Sequence, residues 1–291
     1  MKRLYLLKLF MIERFNNYRK RCRIKSFRSP GLLLLTLSLI VVGRFPDLLY
    51  AQDRHDNGEL IIAAASDLNF AMPEIIKGFK EMRSGVEVKV IFGSSGNFAS
   101  QIINGAPFDI FFSASIKYIE QLEKERLLIP DSKFMYGAGR IVLWVPNGSG
   151  IDLDRLGIKA LLDPSVKKIA IANPQHAPYG MAAVEAMSRL GIYDMVKDKL
   201  ILGENISQAA QFVQSGSADI GIIALSNALY QKMRSSGRFW LIPVDSYNRI
   251  EQWSAIIKRS NNVPLAEDFV NYFKGDEGRR ILSGYGFILP D

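Results

Sequence analysis

Cysteine is nearly absent from this chain of 291 residues, and histidine is scarce. The single cysteine, Cys22, falls within the first 51 residues, so the remainder has no disulfide framework, thiol nucleophile or thiolate metal site. The two histidines, His55 and His176, give no metal-ligand spacing. A chain of this kind suits an oxidising compartment.

A hydrophobic run long enough to span a bilayer is also missing. The apolar block 31–43 is too short for that, but it follows a segment rich in Lys and Arg. A cleavage-site pattern, Leu-Tyr-Ala, ends at residue 51, which completes the layout of a secretory signal. We expect 1–51 to be a signal peptide that directs the protein to the periplasm; an uncleaved signal anchor is the alternative. No cysteine follows the block, so no lipid anchor is expected.

Excess charge is missing from the rest of the chain. The full sequence has 37 basic and 29 acidic residues, a net charge of +8. Subtracting the 11 basic and 2 acidic residues of 1–51 leaves 26 basic and 27 acidic residues, a net charge of −1. The basic character belongs to the expected signal peptide, so the sequence does not predict nucleic-acid binding.

Short apolar runs alternate with helical patterns through most of the remaining sequence. The alternation predicts an α/β architecture with mainly parallel sheets flanked by helices. The predicted strands are 60–65, 86–92, 108–113, 140–145, 168–172, 218–225, 239–244 and 253–258. The helices predicted between them are 97–104, 116–125, 181–190, 207–214, 227–233, 265–273 and 277–283.

Two breaks in this pattern, 136–139 and 243–248, are predicted to be crossings between two lobes. One lobe would then be 52–137 plus 247–291, and the other would be 138–246. A cleft would separate the lobes, and the carboxyl ends of the strands, where open α/β sheets bind ligands, would face it.

The apolar run 60–65 leads directly into Ser66 and Asp67, both of which are helix-capping types. A helical pattern over 70–79 follows, although Pro73 removes one internal hydrogen bond, so either the first turns are irregular or the regular helix begins later. A strand that runs into a helix leaves free N–H groups beside its carboxyl end, and such a place suits an anion. Simple helix capping by Ser66 is the alternative.

Three further junctions have the same character: GSSGN at 93–97, NPQHAPYG at 173–180 and GENIS at 203–207. Each predicted lobe supplies two of the four junctions, so a closing cleft would bring four helix starts together. The first of the three is not a Walker loop, because no GK[ST] follows, and it does not match a nucleophile elbow. A flexible loop is its alternative.

The segments AAASDL, FGSSGNFASQI, INGAPFDIFFSA, NPQHAPYG and GENISQAAQFVQSGSADIGIIALS, in this order, resemble the periplasmic molybdate-binding proteins of ABC transporters. The resemblance covers 59–287 and implies a two-lobed type 2 periplasmic binding fold with a ligand cleft between the lobes. It also implies a solute-binding protein that captures molybdate or tungstate and passes it to an ABC permease in the inner membrane. On this basis we expect a monomer with no cofactor and no enzymatic activity.

The resemblance also implies contacts for the oxyanion. The family's ligand-contacting serines fall on Ser66 and Ser95. Its contact before the second-lobe helix falls on Tyr179, and its N–H donor at the next junction falls on Ile206. All four are expected to contact the oxo groups and not to be direct ligands of the metal atom.

Molybdate is a dianion without a proton, so its ideal site holds hydrogen-bond donors alone. No Lys or Arg lies within the four junctions. Asp67 and Ser94 are further candidates, with the Asp67 carboxylate expected to turn away to a cap or to solvent while its N–H contributes. Ala224 stands where some family members have a tyrosine contact, and Tyr179 is expected to supply that hydroxyl.

Two other functions remain open at this stage. Sulfate or another oxyanion would suit a donor-only site of the right size. A serine hydrolase would use Ser95, His176 and Asp109, but the sequence has no nucleophile turn. A hydrogen bond that fixes a loop is the simpler role for His176.

Overall fold

The computed structural model describes residues 58–291, so the expected signal peptide lies outside the described residues. Ten strands in this part of the chain form two five-stranded sheets. The strands are β1 (Glu59–Ala65), β2 (Glu87–Gly93), β3 (Ile110–Ser113), β4 (Phe134–Gly139), β5 (Ile141–Pro146), β6 (Ile169–Ala172), β7 (Leu200–Gly203), β8 (Ile220–Ala224), β9 (Gly237–Leu241) and β10 (Ile250–Ile256).

Helices flank both sheets, and a short 3-10 helix, Ser66–Leu68, follows β1. The α-helices are α1 (Ala71–Met82), α2 (Ser95–Ile103), α3 (Ile116–Lys124), α4 (Leu153–Leu156), α5 (Pro178–Arg189), α6 (Tyr193–Val196), α7 (Ile206–Gln214), α8 (Leu225–Leu229), α9 (Gln231–Ser236), α10 (Val263–Lys274) and α11 (Asp276–Gly284). Across 58–291, none of the helices combines the length and hydropathy needed to cross a membrane.

The first sheet has the strand order β2-β1-β3-β10-β4, and the second has the order β7-β6-β8-β5-β9. Each sheet contains two parallel pairs. In the first sheet β1 pairs with β2 and with β3, and in the second sheet β6 pairs with β7 and with β8. The other two pairs in each sheet are antiparallel. The two-lobed α/β prediction is confirmed, but the sheets are mixed and not mainly parallel. A parallel strand needs a crossover on its own sheet, whereas β5 and β10 enter directly from the other lobe.

Each sheet has its own apolar core, which makes each lobe a separately packed body. Phe112 and Phe269 are fully buried beside the first sheet, where Phe112 also meets Phe273 with ring centroids 4.5 Å apart. Trp144 and Ile171 are fully buried in the second. Because side chains of one core do not have to repack when the other lobe moves, the lobes can rotate as units.

The main difference from the predicted elements is at 136–139, which we expected to be a break. These residues belong to β4, an edge strand of the first sheet, which continues to Gly139. A Cβ at Gly139 would collide with the Tyr179 hydroxyl, so the glycine marks a close approach and not a flexible turn. The lobe bounds, 52–137 with 247–291 and 138–246, stay a proposal.

Candidate functional site

Four strand-to-helix junctions meet around one small cavity. The cavity is lined by 65–67, 93–95, 177–179 and 205–206, together with Ala114. The first two junctions follow β1 and β2 of the first sheet, and the other two follow β6 and β7 of the second. The cavity is therefore in the cleft between the lobes, at the carboxyl ends of the strands.

Ser66 is the first residue of the 3-10 helix that follows β1, and it is buried. The residue in the cap position is Ala65, and no side chain caps this helix, so capping does not explain the serine. The Ser66 carbonyl accepts a hydrogen bond from Ser207 Oγ at 2.8 Å. Its hydroxyl has no hydrogen-bond partner among the described residues, which leaves it able to donate to a ligand.

Ser95 is the first residue of α2 and is fully buried. Its Oγ accepts a hydrogen bond from the N–H of Ala114 at 2.9 Å. Because an oxygen lone pair is used in this bond, the hydroxyl proton stays free to donate into the cavity. The role of Ala114 was not predicted, since a backbone N–H after a strand has no side-chain signature.

Backbone N–H groups supply further donors at the helix starts. Those of Ser95, Tyr179 and Ile206 lie in the first turns of α2, α5 and α7, where a helix offers no internal acceptor. None of the three bonds to an acceptor within 58–291. Pro178 begins α5 with no N–H of its own, and the Asn205 side chain caps a later N–H of α7, so neither occupies these donors.

Asp67 is 0 % exposed, which contradicts our expectation that its carboxylate would cap a helix or meet solvent. The 3-10 turn after β1 directs the side chain into the molecule, where its Oδ2 accepts a hydrogen bond from the Tyr179 hydroxyl at 2.8 Å. Burial raises the pKa of Asp67 to about 6, although the hydrogen bond from Tyr179 and the nearby N–H of Asp67 itself lower the pKa.

Tyr179 therefore uses its hydroxyl proton within the protein. Burial, reinforced by the neighbouring Asp67, raises the pKa of this tyrosine well above its usual value, so the group stays neutral. In this arrangement the backbone N–H, and not the hydroxyl, is what Tyr179 offers to the cavity. Ala224 ends β8, pairs with Ile141 and is not among the lining residues.

Ser94 and His176 join the lobes at the edge of the cavity. His176 Nδ1 lies 2.9 Å from Ser94 Oγ, and the His176 carbonyl accepts the N–H of Gly96 at 3.0 Å. His176 Nε2 is 3.8 Å from a Glu204 carboxylate oxygen. The predicted loop-fixing hydrogen bond of His176 is present, and it crosses the cleft.

The catalytic arrangement of a serine hydrolase is not formed. Asp109 accepts hydrogen bonds from the N–H of Ile61 at 2.7 Å and from Ser260 Oγ at 2.6 Å, and so supports two loops of its own lobe. His176 contacts Ser94 and not Ser95. Because Asp109 is engaged within its own lobe and no base lies beside Ser95, the predicted arrangement of Ser95, His176 and Asp109 has no structural support.

Further contacts join the two lobes beside the cavity. Asn69 donates to Ser207 Oγ at 2.9 Å, and Ser226 Oγ donates to the Asp67 carbonyl at 2.8 Å. The rings of Phe70 and Tyr230 are stacked with centroids 3.8 Å apart and planes 7° apart. In each pair, one residue follows β1 and the other belongs to the second lobe, so these contacts hold the two lobes together across the cleft.

The cavity has donors but no cation. Among its lining residues there is no Lys or Arg, and Asp67 is the one carboxylate. The favourable field for an anion comes from the three helix starts, where the macrodipole places partial positive charge. Uncharged donors around a small cavity are suited to a small anion that carries no proton.

Comparisons with known proteins agree on one family. The family model for bacterial extracellular solute-binding proteins matches residues 60–288. Molybdate-binding protein ModA of Azotobacter vinelandii is 36% identical over 231 residues, which are 79% of this chain and 90% of the relative. Molybdate-binding protein ModA of Rhodobacter capsulatus is 35% identical, covering 79% and 88%. The solved periplasmic molybdate-binding protein of Azotobacter vinelandii superimposes with a TM-score of 0.74 at 31% identity, covering 80% of this chain and all of that one.

Proposed function

This chain belongs to the bacterial extracellular solute-binding proteins, and from that premise we propose that it captures molybdate, or tungstate of the same charge and shape, between its lobes. The observation that carries the proposal is the meeting of four helix-starting junctions around a cavity that has neutral donors and no cation. Two relatives that cover most of the chain are molybdate-binding proteins, which supports the choice of ligand.

The proposed contacts are the hydroxyls of Ser66 and Ser95 and the N–H groups of Ser95, Tyr179 and Ile206. A hydrogen bond to a charged acceptor contributes about 1.5–3 kcal/mol. Five such bonds give roughly 7–15 kcal/mol before the costs of ordering and desolvation are subtracted. This scale is compatible with micromolar to nanomolar binding.

Closure is the step that we propose the ligand drives. Two of the four junctions lie on each lobe, so an oxyanion bound to one lobe gains the donors of the other only when the cleft shuts. A ligand shifts such an equilibrium by its extra contacts in the favoured state. The hydrogen bonds from Asn69 and Ser226 across the cleft add to the closed state without contacting the ligand.

We further propose that the closed, loaded protein is recognised in the periplasm by the permease of an ABC transporter. The relatives are solute-binding proteins, which supports a transport role over bond-making chemistry. The signal peptide at 1–51 that would bring the protein to this compartment remains a prediction, because those residues lie outside the described part of the chain.

A thermal-shift panel of molybdate, tungstate, sulfate, phosphate and chromate tests the ligand. A ligand at about 100 times its dissociation constant adds about 2.7 kcal/mol to stability. We expect that stabilisation from molybdate and tungstate and less from hydrogen phosphate, whose proton can find a carboxylate acceptor in the lining only at Asp67. Stabilisation by sulfate alone would overturn the assignment of molybdate.

A further inference from the structure

One carboxylate oxygen in the proposed site has no partner. Asp67 lines the cavity and is 0 % exposed, and its Oδ2 accepts the Tyr179 hydroxyl proton. Its other oxygen, Oδ1, is buried and has no hydrogen-bond partner within 58–291. A buried polar atom without a partner is costly, and in a residue that lines a cavity a bound ligand can supply the missing hydrogen bond.

A chain of hydrogen bonds determines which oxygen of Asp67 can hold a proton. The Tyr136 hydroxyl donates to Gln252 Oε1 at 3.0 Å, and Gln252 Nε2 donates to the Tyr179 hydroxyl at 3.3 Å. Tyr179 therefore accepts from Gln252 and directs its own proton to Asp67 Oδ2. Since Oδ2 is already an acceptor, a proton on this carboxyl group belongs on Oδ1.

The groups that face Asp67 from neighbouring elements are neutral. Tyr179 on α5 and Tyr136 on β4 are buried tyrosines whose pKa values burial raises well above the usual range. Tyr247 lies near Tyr179, and Ser226 of α8 occupies the Asp67 carbonyl. Among the described residues, no Lys, Arg or His contacts this carboxylate, so the negative charge of an ionised Asp67 is not balanced by a cation.

We propose that Asp67 holds the oxyanion as a neutral carboxylic acid, with its Oδ1 proton donated to a ligand oxygen, so that capture of one dianion takes up one proton from solvent. The inference rests on the proposed function. An ionised carboxylate beside a dianion would be repelled in a cavity without cations. When Asp67 is protonated, its side chain is one more hydrogen-bond donor, and every group that faces the ligand is then a donor.

The free protein is poised for this uptake. Burial raises the pKa of Asp67 to about 6, so the group is largely ionised at neutral pH before the ligand arrives. The negative ligand raises the pKa further. Between the two pKa values one proton is bound with each ligand, and the dissociation constant rises by about tenfold for each pH unit.

Isothermal titration calorimetry with molybdate tests the inference on the folded protein without its signal segment. Titrations at about pH 6.5, 7.5 and 8.5, each in two buffers of different ionisation enthalpy, count the protons taken up. The wild type is expected to take up close to one proton per molybdate at the middle pH. Asp67→Asn is expected to take up no proton and to bind molybdate equally well at all three pH values, because the amide NH2 is already a hydrogen-bond donor and does not have to be protonated first.

Two further variants keep the test decisive. His176→Gln removes the imidazole at the edge of the cavity and is expected to keep the full pH dependence. Tyr179→Phe removes the donor to Oδ2, which raises the pKa of Asp67 in the free protein, so the affinity is expected to begin falling at a higher pH. This variant decides the question if Asp67→Asn does not fold.

The outcomes separate the two proposals. Tight molybdate binding by the wild type with no proton uptake and no pH dependence overturns the role of Asp67 and leaves the proposed function intact. The same result follows if Asp67→Asn retains the wild-type slope, or if His176→Gln loses it. Failure of the wild type to bind molybdate at any pH overturns the proposed function, and the inference with it.

Discussion

At the residue scale, the value of a serine for an anion depends on where its proton can go. Ser95 receives the Ala114 N–H on its oxygen and keeps its proton, whereas the Ser66 hydroxyl has no partner among the described residues. Both side chains are buried, so neither gains from solvent when the ligand is absent. The protons of both hydroxyls are therefore available to a ligand, although the Ser95 oxygen also stabilises the fold through its bond to Ala114.

Removing either hydroxyl tests this division of roles. We expect Ser66→Ala and Ser95→Ala each to weaken molybdate binding about tenfold or more, because one charge-assisted hydrogen bond is lost. Ser100→Ala, an exposed serine on the same helix as Ser95, is the matched control and should bind like the wild type. Calorimetric titration measures the affinities; wild-type affinity in both Ser66→Ala and Ser95→Ala would place the site elsewhere.

The burial of Asp67 leads to a second prediction, which concerns how the stability of the ligand-free protein depends on pH. Its pKa of about 6 is raised from 3.8, so the native state binds the proton more tightly than the unfolded chain. Stability is therefore lost as pH rises through this interval and stays lost above it, by about 3 kcal/mol. Asp67→Asn should unfold at higher urea than the wild type near pH 7.5 without ligand, and the gain should shrink toward pH 4. Lower stability of the variant near pH 7.5 would contradict this reasoning.

The site was partly predictable at this scale. The junctions that contain Ser66, Ser95 and Ile206 follow from capping-type residues and turns, whereas their role as contacts follows from the family resemblance, and the structure brings all three to one cavity. The direction of the Tyr179 hydroxyl was not predictable, because it is set by Asp67 and Gln252, which are far away in sequence. A hydrogen-bond partner that depends on the closed fold leaves no local pattern.

At the scale of helices and strands, crowded backbone positions explain why the glycines of β4 look like a break in the sequence pattern. The glycines of β4 suggest a break, yet Gly137 faces the carbonyl of Ile288 and Gly139 faces Tyr179, so both are small where the chain is crowded. β7 is only four residues long and lies at a sheet edge, which gives it little periodicity. Longer strands with fully apolar runs, such as β1, were predicted to within a residue.

Helix α5 owes its position to a similar approach. A Cβ at Gly180 would collide with the carbonyl of Ala172 and lie 2.9 Å from the nitrogen of Pro174, both backbone atoms that cannot rotate away. We expect Gly180→Ala to lower the free energy of unfolding by about 1–3 kcal/mol through this overpacking and to weaken binding, since Tyr179 is its neighbour.

Gly284, the last residue of α11, is the control for that substitution. A Cβ there meets no atom within 4 Å, so Gly284→Ala should be neutral or stabilising by up to about 1 kcal/mol. Thermal melting of both variants gives the comparison. Equal melting temperatures for the two would show that α5 is not held by the contact with Ala172.

At the scale of the whole molecule, the two-lobed fold and the family were predictable because they depend on the order of many short segments. The order of these segments does not predict which side chains form the contacts between the two lobes. Phe70 and Tyr230 stack face to face across the cleft, and His176 reaches Ser94 from the opposite lobe. Contacts of this kind stabilise closure itself, independently of the ligand.

Phe70→Ala is expected to shift the free protein toward the open form. An aromatic pair contributes about 0.5–1.5 kcal/mol beyond its buried area, so molybdate affinity should fall several-fold while the bound form stays closed. Small-angle X-ray scattering should show a larger radius of gyration without ligand and the wild-type value with it. Met195→Ala, an exposed side chain on α6, is the control; an unchanged free form of Phe70→Ala would refute the role of the stack.

The strand order has a consequence for how the chain is made. The second sheet is built from one unbroken stretch, β5 through β9, but the first sheet must wait for β10, which pairs with both β3 and β4. During synthesis the second lobe therefore has every strand it needs while the first still exposes the apolar faces of β1 and β3. A premature stop after β9 would therefore leave the second sheet with all five of its strands and the first sheet without the strand that joins β3 to β4.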